Sequence, residues 1–240
     1  MLIDRRAATA CKIHIRDWEN IMQKFLMGAA LLCLASGAAF AAAPTAATII
    51  TNADIKTVLK DRPDGDHTIR VMDMGQGYQM SVAVVHRGST SAPPPKRTPE
   101  QVAAAAAAAA AAKPCGLTAP IGGKVGPLKN GMLAHHQTPE TYIVIEGSGT
   151  LVTGGKILNG KESAKDAEVT TTLNGPTCSG GVTGDFILTE AKVGDIIVVP
   201  PDVPHGWSNI PKDVTYLSVR PDFDHVLPKA GYVYPALAKK

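Results

Sequence analysis

Aromatic residues, charge and cysteine are all scarce in this chain of 240 residues. Aromatic residues make up 5% and charged residues 19% of the sequence, and only four cysteines are present. The charged share is below the roughly 25% typical of globular domains. The formal net charge is only +3, and five Lys/Arg against three Asp/Glu fall before residue 42. Because the remainder is close to neutral, nothing indicates nucleic acid or an anionic membrane surface as a partner.

Glycine and proline, in contrast, are plentiful, with 23 and 18 residues. Together with few aromatic residues, they favour a turn-rich β protein over a helical bundle. The hydrophobic share of 45% is enough for a core, and the length suits one domain of ordinary size. No internal repeat at solenoid or propeller spacing is visible.

The N-terminal region lacks the roughly 20 continuous apolar residues that a membrane span needs. After Met22 and Lys24, the apolar stretch Phe25–Leu34 is about half that length, and the small-residue pattern Ala39–Ala41 follows. This is typical of a secretory signal. We therefore predict that residues 1–41 are an N-terminal extension plus a cleaved signal peptide, and that the protein is periplasmic or secreted. The polar residues 1–21 ahead of it favour a translation start at Met22, with a long n-region of the signal as the alternative.

Two cysteines, Cys115 and Cys178, remain in the expected mature chain. An even pair in an oxidising compartment is compatible with a disulfide. Two separate thiols are equally compatible, because the sequence does not give the distance between the two Cα atoms.

The expected mature chain falls into three stretches. Residues 42–87 predict an N-terminal arm, a helix capped at Thr51 or Asn52, and the first two strands. Residues 88–115 form a Pro/Ala-rich insertion, either a surface helix or a disordered linker. In residues 116–240, short β-branched runs separated by Gly and Pro predict antiparallel strands of a sandwich, barrel or jelly roll.

Metal-ligand residues occur beside tight turns in two places. His135 and His136 are followed by Glu140, and His205 comes after a Pro-rich turn. A hairpin in a closed barrel can bring such side chains to one cavity. Neutral imidazole with carboxylate binds Zn, Fe, Ni, Cu or Mn.

Both segments resemble the two conserved boxes of the cupin superfamily. The spacing from Glu140 to Gly147 matches the first box. In the second box, four residues occupy the expected places: Gly194, Pro200, His205 and Asn209. Asp202 stands where that box has a glycine, and aspartate tolerates left-handed turns better than most residues.

The first box departs from the family pattern at one ligand. Its first histidine position falls on Leu133 or Ala134, neither of which can bind metal. The second falls on His135 if four residues separate it from the glutamate, or on His136 if three do. The resemblance thus implies three protein ligands in place of four, unless both histidines contribute.

The resemblance implies an all-β cupin double-stranded β-helix, a jelly-roll barrel with a short N-terminal helix and a surface Ala-rich insertion. It also implies a divalent transition metal (Fe, Mn, Zn, Ni or Cu) on His135, His136, Glu140 and His205. A small-molecule ligand or substrate and a homodimer are the implied partners. The implied function is dioxygenase-, isomerase- or decarboxylase-like catalysis, or non-catalytic small-molecule binding. A metal-free structural barrel is the third possibility, because one fold hosts many functions.

Other candidate residues carry weaker expectations. Tyr142 and Trp207 are expected in the core, and Gln137 is a weak candidate oxygen ligand. Arg220 is expected at the surface, with an inward position that holds an anionic substrate as the alternative. Three further histidines are expected to be solvated or bonded to backbone: His67, His86 and His225.

Overall fold

The computed structural model describes residues 45–93, 96–118 and 131–239. The chain divides into two units, Met1–Ala41 and Ala42–Lys240, and all described residues belong to the second. The predicted extension and signal peptide lie outside the described residues. Within the described ranges, every helix is too short or too polar to cross a membrane.

Two α-helices belong to the described chain. Helix α1 spans Asn52–Asp61 and α2 spans Pro99–Ala111. Each begins with a capping box, made by the hydroxyls of Thr51 and Thr98. Helix α1 buries Val58 against the barrel, whereas α2 buries no residue. The alanine run is therefore a surface helix, the first of its two predicted forms.

Nine β-strands occur in the described residues. They are β1 Gly65–Asp73, β2 Gln79–Gly88, β3 Pro114–Cys115, β4 Met132–His135, β5 Glu140–Glu162, β6 Thr177–Lys192, β7 Ile196–Val199, β8 His205–Asn209 and β9 Asp213–Asp222. A π-helical turn, Val169–Leu173, connects β5 to β6. The sequence predicted two separate strands, Tyr142–Ile145 and Gly149–Thr153, where the structure has the single strand β5 of 23 residues.

Strand β5 bends at Gly147 and passes from one sheet into the other, so one continuous strand belongs to both sheets. Its first part joins an antiparallel sheet in the order β1-β2-β9-β5-β7. Its second part pairs with β3, β6 and β8, and β4 pairs with β6 and β8. Gly147 has φ 70°, and a Cβ there would lie 2.0 Å from the Asp213 carbonyl oxygen, so only glycine fits. Two sheets sharing strands in this way confirm the predicted all-β jelly-roll barrel.

The main core lies between the two sheets. It contains Val85, Tyr142, Val144, Leu151, Ala191, Val199, Ile210, Val214 and Tyr216. A second cluster under α1 covers the outer face of β1 and β2, and the predicted helix stripe of Ile55, Val58 and Leu59 packs into it. Side chains alternate between the two faces of each strand. The inward residues of β2, β5 and β9 therefore decide what faces the barrel interior.

Cys115 of β3 and Cys178 of β6 form a disulfide, the first of the two alternatives. Reducing it is expected to lower the free energy of unfolding by about 2–4 kcal/mol, because the cross-link restricts the unfolded chain. Urea unfolding of the mature protein with and without reductant measures this difference. The variant Cys115→Ser should show no response to reductant. Equal midpoints for the wild-type protein in both conditions would contradict the prediction.

Candidate metal centre

Three side chains meet between the sheets. His135 ends β4, Glu140 begins β5 and His205 begins β8. The Oε2 atom of Glu140 lies 3.3 Å from Nε2 of His135 and 3.1 Å from Nε2 of His205. All three side chains are buried, and one ligand atom from each lies within 4.8 Å of the others. The structure therefore brings together three of the four residues that the boxes predicted.

Hydrogen bonds on the far side of each ring determine where the imidazole protons lie. Nδ1 of His135 is 2.8 Å from Oγ1 of Thr177, whose own hydroxyl donates to the Gly175 carbonyl. Nδ1 of His205 is 2.9 Å from the Val203 carbonyl, which can only accept. Both neutral rings therefore carry their proton on Nδ1, as metal-binding histidines usually do. The Nε2 lone pairs point toward Glu140.

The converging atoms have no proton among them. Nε2 of His205 is buried and has no hydrogen-bond partner among the described residues. Two nitrogen lone pairs thus face a carboxylate oxygen at hydrogen-bonding distance, an arrangement that is repulsive until a cation lies between them. Two imidazoles and a carboxylate form a donor set for a divalent transition metal. The residues present therefore fit the implied metal.

The protonation states at the centre also suit a metal. Burial lowers the pKa of His135, outweighing the opposite effect of the Glu140 carboxylate. Burial alone would raise the pKa of Glu140, but the opposing effects, of which the positive charge of Arg220 is the largest, outweigh it. The pKa of Glu140 is therefore held well below its ordinary value. Neutral imidazole and ionised carboxylate are the forms that ligate metal.

The two oxygens of Glu140 have different surroundings. Oε1 accepts hydrogen bonds from Nδ2 of Asn174 at 2.9 Å, Oγ of Ser218 at 2.8 Å and Nε of Arg220 at 2.9 Å. Oε2 accepts one bond, from the Tyr142 hydroxyl at 2.8 Å. Because Oε1 is fully occupied, Oε2 is the oxygen available to a metal.

Arg220 is buried, so the expectation of a surface arginine was wrong. Its Nη1 donates to the Leu173 carbonyl at 2.8 Å, its Nη2 pairs with Oδ2 of Asp66, and its Nε donates to Glu140. The alternative, an inward arginine that holds an anionic substrate, does not fit either, because these partners engage all three of its nitrogens. Arg220 instead holds Glu140 in place.

His136 lies away from the centre, with 35% of its side chain exposed. Its Nδ1 is 2.6 Å from Oδ1 of Asp202 and its Nε2 is 3.1 Å from Oε2 of Glu162. Burial lowers the pKa of His136, but these two carboxylates outweigh burial and raise it. Since His135 ends strand β4, its neighbour turns to the opposite side. Asp202, at φ 59°, adopts the left-handed turn predicted for it.

None of the remaining described candidates joins the centre. Gln137 is exposed and donates to Asp224. His67 and His225 bond to the backbone carbonyls of Asp64 and Gly77, as expected, whereas His86 bonds to the side-chain hydroxyl of Thr215.

Sequence reasoning missed several residues of the site. Tyr142 was expected only to pack, yet its hydroxyl contacts Glu140. Ser218 was not predicted, although strand alternation from the core residue Tyr216 places it inward. Asn174 and Asp66 carry no such signal, because they come from a turn and from a distant strand.

A cavity of about 630 Å³ adjoins the centre. Its lining includes all three candidate ligands together with Arg87, Trp207 and Tyr216. Three protein ligands leave coordination positions for water or a small molecule, unlike a closed structural site. The arrangement is thus suited to bringing a small molecule beside a bound ion.

No protein-family model matches the chain, and no curated protein does. Similar solved structures include the following three. A Bacillus halodurans protein is 12% identical over 82% of this chain and 98% of its own, with a TM-score of 0.33. A protein with a double-stranded β-helix domain from Klebsiella pneumoniae is 16% identical over 76% and 100%, with a TM-score of 0.30. The DMSP lyase DddQ from Ruegeria pomeroyi is 10% identical over 91% and 98%, with a TM-score of 0.30.

Similarity at this level says nothing about activity. The likeness to the cupin superfamily is carried instead by the chain's own barrel and boxes. The two segments that resemble the boxes deliver Glu140, His135 and His205 to one point between two antiparallel sheets. The predicted all-β jelly-roll barrel is confirmed, and the boxes remain a resemblance to the cupin superfamily.

Proposed function

We propose that this protein binds one divalent transition-metal ion through His135, Glu140 and His205 and acts on a small molecule in the adjoining cavity. The observation that carries the proposal is the convergence of two Nε2 atoms, from rings that bond through Nδ1 on their far sides, on Oε2 of Glu140 at 3.1 and 3.3 Å. Such a cluster is stable only with a cation or a proton at its centre.

The chain's own residues would have separate tasks around that ion. Thr177 and the Val203 carbonyl orient the two imidazoles. The donors on Oε1 hold Glu140 so that only Oε2 faces the ion. Burial and the Glu140 carboxylate raise the pKa of Tyr142 well above its ordinary value, so its hydroxyl keeps its proton beside the centre. A bound divalent ion would supply a Lewis acid for an oxygen of the substrate.

Substitution of the adjacent residues His135 and His136 tests this proposal. The wild-type protein, purified without a His-tag, is expected to carry about one equivalent of metal on elemental analysis. His135→Ala should lose it, because a ligand is removed, whereas His136→Ala should keep it, because His136 lies outside the centre. Equal metal content in the two variants would contradict the proposal.

Turnover decides between the two classes of function. Three protein ligands with open positions favour catalysis of a dioxygenase-, isomerase- or decarboxylase-like type over mere binding. Oxygen uptake and product analysis across a panel of catechols and hydroxy acids distinguish them. A protein that holds metal and binds these compounds without converting them is the non-catalytic alternative.

We also propose that the protein is exported, to the periplasm or beyond. The signal-like sequence before residue 42 and the disulfide between Cys115 and Cys178 support this proposal.

A further inference from the structure

Arg87 lines the same cavity as the candidate ligands. It is the penultimate residue of β2, two positions after the core residue Val85, so strand alternation turns it toward the barrel interior. Its guanidinium lies beside the hydroxyl of Tyr216. Tyr216 packs on Tyr142, with ring centroids 4.4 Å apart, and Tyr142 bonds to Glu140. Arg87 is thus placed across the tyrosine pair from the candidate metal centre.

Arg87 differs from the two other arginines of the lining in having no ion pair: Asp66, which pairs with Arg220, interacts with Arg87 only at longer range. Arg62 pairs with Glu168 at 3.1 Å near the solvent, and Arg220 pairs with Glu140 and Asp66. Within the described part of the chain, no carboxylate lies within ion-pair distance of Arg87. A partly buried guanidinium in a cavity, without a carboxylate, is an anchor for an anion.

The charge balance of the cavity also points to an anion. Its described lining carries three arginines, Arg62, Arg87 and Arg220, and three carboxylates, Asp66, Glu140 and Glu168. With neutral imidazoles these charges cancel. A bound divalent ion would add two positive charges to a space partly shielded from water, and such charge requires compensation.

We propose that the cavity binds a small carboxylate, with Arg87 holding a carboxylate group and the rest of the molecule facing the candidate metal centre. The planar guanidinium fork matches the two oxygens of a carboxylate. A dicarboxylate would balance the two charges that a metal adds. The orientation of the bound carboxylate toward the metal centre rests on the proposed function. Its contact with Arg87 does not, because Arg87 is present in the metal-free protein as well.

Calorimetric titration of succinate, with its neutral diamide and inorganic phosphate as comparison probes, tests this proposal. Metal-loaded and chelator-treated proteins are both titrated. Succinate is expected to bind in both forms, more tightly with metal, whereas the diamide binds in neither and phosphate binds more weakly. Arg87→Gln is expected to weaken succinate binding by about 10- to 100-fold in both forms, because a charged hydrogen bond is lost. Arg97→Gln, which removes the same charge from an exposed arginine outside the cavity lining, should bind as the wild-type protein does.

Circular dichroism of each variant establishes that it is folded, and Arg87→Lys gives a second measurement because it keeps the charge without the fork. Its loss of affinity should be smaller than that of Arg87→Gln. The proposal is overturned if Arg87→Gln binds succinate like the wild-type protein, if succinate binds in neither form, or if phosphate binds more tightly. If the protein takes up no metal but still binds succinate through Arg87, the proposed function is overturned and the carboxylate site stands.

Discussion

Replacing Glu140 by glutamine is expected to abolish metal binding while the barrel stays folded. The amide oxygen of glutamine can take the place of Oε1 and accept the three bonds from Asn174, Ser218 and Arg220. The amide nitrogen then takes the place of Oε2 and donates to the free Nε2 lone pairs of the histidines. The variant therefore relieves the repulsion at the centre without a metal. It also removes the anionic ligand. The affinity for metal should therefore fall by more than about 10- to 100-fold, the loss typical of mutating a residue that only orients a metal ligand.

Glu146→Gln is the matched control for this variant, because Glu146 lies on the same strand and is exposed. Elemental analysis and competition with a chelator give metal content and affinity, and thermal unfolding reports the fold. The control should match the wild-type protein in both. If Glu140→Gln retains metal with unchanged affinity, the carboxylate is not a ligand. If it loses metal only by unfolding, the exchange of hydrogen bonds described above does not occur.

The sequence predicted the ligands that lie close to strand–turn–strand signals. The spacing after Glu140 and before His205 is local, because each residue begins a strand next to a tight turn. The choice between His135 and His136, in contrast, could not be made from the local sequence. It depends on the residue at which β4 ends, since a shift of one residue reverses the face of the sheet.

The surroundings of Glu140 could not be predicted from the sequence. Asn174 lies 34 residues away, Arg220 lies 80 away, and Asp66 lies 154 residues from Arg220. Contacts of such separation follow from the pairing of β1, β2, β9 and β5, not from any local pattern. An arginine in a strand is ordinarily expected at the surface, because arginine is seldom buried without a partner. The sequence does not show that Glu140 and Asp66 lie close enough to pair with Arg220. The fold class was more predictable, because turn residues and β-branched runs recur along the whole chain.

Arg220→Met is expected to destabilise the metal-free protein by about 3–5 kcal/mol, because it leaves buried carboxylates without their cation. Glu140 and Asp66 would both lose their ion pair with Arg220. Arg62→Met is the matched control: it breaks the exposed pair with Glu168, and such surface pairs contribute only about 0–1 kcal/mol. Urea unfolding at neutral pH in the presence of a chelator gives both differences. A loss below about 1 kcal/mol for Arg220→Met would show that the buried network contributes no more than a surface pair.

The pH dependence of this difference distinguishes a lost ion pair from lost packing. The pKa of Glu140 in the folded protein lies well below its ordinary value of 4.5. Its stabilising contribution is therefore complete above that value and is lost as the pH falls through the lower, folded pKa. Without the charge of Arg220 the pKa of Glu140 is higher, so the variant loses less stability than the wild-type protein on acidification. The gap between wild-type protein and Arg220→Met should accordingly narrow on acidification below 4.5, whereas a packing defect would leave it constant.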